Sequence, residues 1–206
     1  MSKLGELKEI LKKLIAIPSV TGNEHDIAIY IADYLRQCGV DSVELQPVEG
    51  KRLNVVAHLK GEKVGPVVLL TGHMDTVAPG EGWRTDPFKA TERDGRIYGR
   101  GAADMKGGIA AILVAIRNAA AQREQMRGEA IIAFVCDEEA YSKGVDALIR
   151  SGIRADYGIA AEPEWDAVIG AVGKMLIKVR VYGIAAHGSQ PETVSYTHLT
   201  LPTNSR

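Results

Sequence analysis

Three apolar runs constrain this chain more than any other feature: Pro66–Thr71 (PVVLLT), Glu129–Cys136 (EAIIAFVC) and Tyr157–Ala161. Each is short, bounded by turn residues and uninterrupted by charge in its middle. That is the pattern of a strand buried on both faces. Helical patterns lie between them. Met105 to about Arg123 is the longest apolar helix, and Val145–Ser151 is a short one closed by Gly152. Strands alternating with helices predict an α/β core, a mostly parallel sheet flanked by helices.

The segments before these runs fit the same plan. Leu4, Leu7, Ile10, Leu11, Leu14 and Ile15 recur at helical spacing behind Ser2, a suitable N-cap, and Pro18 stops the helix. Thr21-Gly22-Asn23 reads as a turn. Glu24–Cys38 repeats the helical pattern and ends at Gly39. Ser42–Val48 and Asn54–Leu59 read as strands joined by Glu49-Gly50-Lys51. Ala78–Arg96, rich in Gly, Pro and charge, reads as a surface loop. From Lys174 to Tyr182 charged and apolar residues alternate, which marks a half-exposed strand and the opening of a second domain.

Composition narrows the function classes. In 206 residues, 46% are hydrophobic and 25% charged, values that argue against a disordered tail or a collagen-like repeat. The 25 Lys+Arg against 26 Asp+Glu give a net charge of -1, so there is no global electrostatic case for nucleic acid or a membrane surface. Cys38 and Cys136 cannot make a disulfide framework. The first residues lack a signal-peptide core, and the longest apolar run, near Ile109–Ile116, is too short to span a bilayer. A cytoplasmic location is expected. The end of the chain is unusual: Val194–Thr203 (VSYTHLTLPT) resembles the translation of a transposase mosaic-end sequencing adapter. Residues 193–206 are therefore expected to be a non-native, adapter-derived tail, with the authentic polypeptide continuing after Glu192.

Chemistry gathers where the buried runs end. Pro66–Thr71 leads into Gly72-His73-Met74-Asp75. His73 and Asp75 share one face of an extended chain, so His73 suits a first-row metal and Asp75 can fix its ring. Tyr98–Gly108 (YGRGAADMKGG) has the glycines of a dinucleotide loop, but Asp104 stands where the third glycine belongs. A carboxylate there suits a cation, not a phosphate. Asp137-Glu138-Glu139 follows Glu129–Cys136; three adjacent acids repel one another and are costly without cations. Glu162 follows Tyr157–Ala161. Each piece alone reads as an ordinary turn or N-cap. Together they place one imidazole and several carboxylates at the C-terminal ends of strands, where α/β sheets bind ligands, and that set suits two Zn²⁺, Mn²⁺ or Co²⁺ ions.

The stretches TGHMDTVAPG, IYGRGAADMKGG, CDEEAYSKG, AEP and GIAAHGSQPE resemble the M20 family of metallopeptidases and aminoacylases, in that family's order and up to Glu192. The resemblance implies a zinc-exopeptidase-like catalytic domain over residues 1–173 and the start of an α+β lid and dimerisation domain over 174–192. The implied reaction is metal-dependent hydrolysis of an amide bond in an N-acyl amino acid or short peptide. Two divalent ions are implied, with zinc the family expectation and Co²⁺ or Mn²⁺ the alternatives. His73 and Glu162 would bind the first ion, Asp104 would bridge both, and Glu139 would bind the second. Glu138 would be the general base acting on a metal-bridging water, and Asp75 would brace His73. Family members often carry a cis peptide after the bridging Asp. His187 matches the lid histidine that reaches the partner subunit's site in dimeric members, so a homodimer through the lid is implied. The family's second metal-binding His has no counterpart after Glu192, and His198 in the adapter-like tail is not assigned that role. A 206-residue chain is therefore expected to bind metal weakly and turn over little. The alternative is an inactive metal-binding or regulatory domain of the same fold.

Overall fold

The computed structural model of the protein describes residues 2–163. The expected lid strand, His187 and the adapter-like tail lie outside the described residues. Met1–Val168 forms one compact unit.

Helix α1 (Lys3–Ile15) starts where Ser2 Oγ accepts the Gly5 N–H at 3.1 Å, and α2 (His25–Gln37) stops before Gly39, whose φ of +75° is a left-handed helix end. Strands β1 (Ser42–Glu49) and β2 (Arg52–Lys60) follow, then β3 (Lys63–His73). β4 (Thr91–Arg93) and β5 (Arg96–Tyr98) form a separate small hairpin turned by Asp94 and Gly95, both at positive φ. An irregular turn at Ala102–Lys106 leads into α3 (Gly107–Ala120). β6 (Arg127–Val135), α4 (Lys143–Arg150) and β7 (Tyr157–Ala160) complete the described chain.

The five-stranded sheet runs β1-β2-β6-β3-β7. β6, β3 and β7 are mutually parallel, whereas β1 with β2 and β2 with β6 are antiparallel. The mostly parallel sheet expected from sequence is thus corrected to a mixed one. The tight turn at Gly50-Lys51 leaves β1 and β2 no room for a crossover, so they must pair antiparallel. Burial also departs from expectation. β6 is buried from Ala130 onward, but β3 is exposed over Lys63–Pro66 and only half-buried over Val67–Thr71, and all four residues of β7 are exposed. Among the described residues β7 pairs with β3 alone. The expected loop over Ala78–Arg96 contains β4 and the start of β5.

β6 organises the core. Its Ala130, Ile132 and Phe134 pack with α1, α2 and α3 on one face. Its Ile131, Ala133 and Val135 pack with Val56 and Leu148 of α4 on the other. Fully burying a side chain such as Ile132 or Phe134 contributes about 1.5–3 kcal/mol. Among the described residues no helix is long and apolar enough to cross a membrane.

Candidate metal centre

Parallel pairing aligns three strand ends. His73, the last residue of β3, lies opposite Val135 of β6, and Thr71 lies opposite Ala160 of β7. His73, the Asp137–Glu139 segment and Glu162 therefore leave the sheet at one edge, as the sequence predicts.

His73 is buried, with 2% of its surface exposed. Its Nδ1 donates to the Asp75 carbonyl oxygen at 2.8 Å. In the neutral ring this leaves the Nε2 lone pair facing the carboxylates. Nε2 lies 2.9 Å from Asp104 Oδ1 and 3.8 Å from Glu162 Oε2. One ligand atom each from His73, Asp104 and Glu139 lie within 4.8 Å of one another.

Asp104 is delivered by the irregular turn. Gly101 enters it at φ +74°, where a Cβ would sit 2.5 Å from Thr76 Cγ2, so the turn requires glycine. The Asp104–Met105 peptide bond is cis, as the resemblance implies. Below it, the His73 N–H meets Met105 Sδ at 3.0 Å. Lys106, fully buried, donates from Nζ to the carbonyls of Leu14 at 2.9 Å and Ile17 at 2.8 Å, which ties the turn to the end of α1. Burial alone holds the Lys106 ammonium down at about 8.

Asp75 does more than brace the imidazole. Its carboxylate lies 3.6 Å from His73 Nδ1, but the ring's hydrogen bond goes to its backbone. Oδ1 accepts the Glu138 N–H at 3.0 Å, while Oδ2 accepts the Glu139 N–H at 3.1 Å and the Thr21 hydroxyl at 2.9 Å. One buried carboxylate thus fixes the backbone of both glutamates.

Electrostatics follow from this crowding. Burial pulls the His73 imidazole down, but Asp75, Glu162 and Asp104 outweigh it and hold it up at about 9. Burial raises Asp75, yet His73, Thr21 and the Glu138 N–H overcome this and keep its carboxyl below the usual range. Glu139 is pushed up by burial, then by Asp104, against the lowering pull of His73. A carboxylate made harder to ionise by neighbouring carboxylates gains from a divalent cation. Asp137 departs from the sequence picture of three acids needing cations. Its Oδ1 lies 2.8 Å from an Arg52 nitrogen, so the protein neutralises it internally.

Beside the cluster is a cavity of about 180 Å³, lined by Thr76, Arg100, Gly101, Asp104 and Glu139 among others. Sequence reasoning missed Thr21, Glu24, Arg52 and Lys106. Only Lys106 left a signal, a lone cation at the head of the longest apolar helix.

Comparison with known proteins bears on this geometry. The profile of Peptidase family M20/M25/M40 matches residues 69–197. The succinyl-diaminopimelate desuccinylase of Bordetella avium (strain 197N) is 36% identical over 204 residues, covering 93% of this chain and 52% of that protein. That of Nautilia profundicola is 34% identical over 195 residues, covering 89% and 51%. The chain spans about half the length of the curated relatives it matches. Among solved structures, an M20 family metallo-carboxypeptidase, Sso-CP2 from Sulfolobus solfataricus, superposes with a TM-score of 0.67 at 25% identity, covering 76% of this chain and 37% of that one. Human carnosine dipeptidase 1 gives 0.66 at 25% identity, covering 76% and 38%.

Proposed function

The chain belongs to Peptidase family M20/M25/M40, and from that premise we propose that it carries the metal-binding and proton-transfer groups of an amidohydrolase. The substrate class is an N-acyl amino acid or short peptide. The desuccinylase relatives favour N-succinyl amino acids as the first substrates to assay. The observation that carries the proposal is the convergence of His73, Asp104 and Glu139 within 4.8 Å at one sheet edge.

The donor set fits a pair of divalent ions. One imidazole nitrogen and several carboxylates suit Zn²⁺, Co²⁺ or Mn²⁺. His73 and Glu162 would hold one ion, Glu139 the other, and Asp104 both. When bound, the ions supply Lewis acidity, which polarises a carbonyl and makes water a stronger acid. Glu138 takes the proton of the attacking water and passes it to the leaving amine. Asp75 fixes Glu138 through its N–H, which supports a defined direction for that transfer. His187, in the proposed lid segment 174–192, would donate to the developing oxyanion across a homodimer interface. Residues 1–173 would form the catalytic domain.

The test is Glu138→Gln in a metal-loaded protein whose wild-type form turns over an N-acyl amino acid. Turnover should fall by about 10²-fold or more, as expected for loss of a general base, with metal content unchanged. Near-normal turnover would remove Glu138 from this role.

A further inference from the structure

Asp137 begins the segment that carries Glu138 and Glu139, and its backbone holds φ +69°, a left-handed value that asparagine, aspartate and glycine adopt most readily. Three interactions hold it there. Oδ1 lies 2.8 Å from Arg52, Oδ2 accepts the Lys143 N–H at 3.1 Å, and its carbonyl accepts the Ser142 N–H at 2.6 Å. Arg52 in turn is forked onto Glu24, with Nε donating to Oε2 at 2.9 Å and a second guanidinium nitrogen bonding Oε1. Glu24 also accepts the Gly22 N–H at 3.0 Å. Glu24 is 0% exposed, Asp137 1% and the Arg52 side chain 12%.

This network reaches the same segment that Asp75 holds. Gly22 follows Thr21, whose hydroxyl bonds Asp75 Oδ2. The two anchors therefore share the Thr21-Gly22 turn. One grips the N–H groups of Glu138 and Glu139, and the other grips the residue before them.

We propose that Arg52 is a positioning residue for the metal centre: through Glu24 and Asp137 it fixes the backbone of the Glu138–Glu139 segment, which keeps the Glu139 carboxylate beside His73 and Asp104. A guanidinium is required because two carboxylates must be satisfied at fixed angles by one planar fork, which an ammonium cannot do. The ion pairs of Arg52 are to Glu24, Glu49 and Asp137, not to His73, Asp104 or Glu139. The proposal rests on the metal-centre reading above only for its second readout.

Arg52→Gln and Asp137→Asn are compared with Ile116→Ala, a core truncation in α3 remote from the segment. The first readout, metal-free amide hydrogen exchange, is independent of the metal reading. Exchange at Glu138 and Glu139 should speed up tenfold or more in both network variants. Exchange at Ile131–Ala133 of β6 should stay as in the wild type. The second readout is Co²⁺ titration, followed by absorption. The network variants should bind at least tenfold more weakly than wild type, and Ile116→Ala within about twofold. Unchanged exchange at Glu138 and Glu139 in both network variants overturns the proposal. So does faster exchange with unaltered Co²⁺ affinity. If Asp104→Asn binds Co²⁺ as tightly as wild type, the metal-centre reading fails while the exchange result still decides whether Arg52 fixes the segment. If Arg52→Gln does not fold, Asp137→Asn carries both readouts.

Discussion

Asp75→Asn is the most informative single change, because it keeps the shape of the side chain and removes only its charge and half its accepting capacity. The wild-type carboxylate, fully buried, accepts three hydrogen bonds: from Glu138 N, Glu139 N and the Thr21 hydroxyl. An amide has one oxygen. With that oxygen at the Oδ1 position, the Glu138 bond survives and the Thr21 hydroxyl can reverse to accept from the new NH₂. The Glu139 N–H then faces a donor. With the oxygen at Oδ2, the Glu138 N–H is orphaned instead, and the NH₂ confronts His73 Nδ1 at the 3.6 Å separation now held by a carboxylate. Either way one part-buried N–H loses its partner, costing about 1–3 kcal/mol, and the imidazolium loses one of its counter-charges. The expected loss is about 3–5 kcal/mol, the range for breaking a buried charged pair. Thr21→Val, which removes one hydroxyl bond, should cost about 1 kcal/mol. The assay is urea unfolding with chelator present, from pH 7 to pH 3. The Asp75 carboxyl lies below 3.8 in the folded state. Its contribution is therefore complete above the unfolded value and is lost as pH falls through the folded one. The gap between wild type and Asp75→Asn should be constant down to about pH 4 and close below it. A gap under 1 kcal/mol at pH 7, or one that persists unchanged to pH 3, would refute the clamp.

Two further outcomes can be checked with the same unfolding assay. In the chelated protein, His73 is held up at about 9 from 6.5, so its contribution is complete below pH 6.5 and disappears as pH rises through 9. This amounts to about 3 kcal/mol lost between pH 6 and 10; a flat profile there would contradict the folded environment assigned to His73. Gly144→Ala places a Cβ 2.3 Å from the Cys136 carbonyl oxygen and 2.6 Å from Asn54 Oδ1. It should destabilise by about 1–3 kcal/mol, and a neutral result would mean that α4 can withdraw from β6 without penalty.

The residues that gather at the candidate metal centre were legible because their chemistry is local. His73, Asp104, Glu139 and Glu162 each follow or precede a strongly patterned element, so type and position agree without knowledge of the partner. What anchors them was not legible. Thr21 stands in a turn of ordinary composition, and Arg52 opens a strand as any solvated cation would. Their partners, Asp75 and Asp137, lie far along the chain, and only the folded sheet brings them together. Strand direction was hidden for a related reason. The apolar pattern of Arg52–Lys60 reports burial on its faces but not the direction of the strand beside it, so the antiparallel half of the sheet was missed. The exposure of β7 was missed because an apolar run signals a capacity for burial and does not specify what covers it.

The Asp75 clamp also bears on when the site can form. It joins residues 54 and 63 positions apart along the chain. Closing loops of that size costs entropy before the contact returns any stabilisation. No isolated stretch from first helix to third strand holds both sides of it. During synthesis the growing chain can build its α1–α2 layer and the β1–β2 hairpin early, but the imidazole must wait for β6 and then β7 to emerge before its surroundings are complete. Assembly of the candidate metal centre is therefore a late event in the life of each molecule, and its kinetics should report the arrival of the last two described strands.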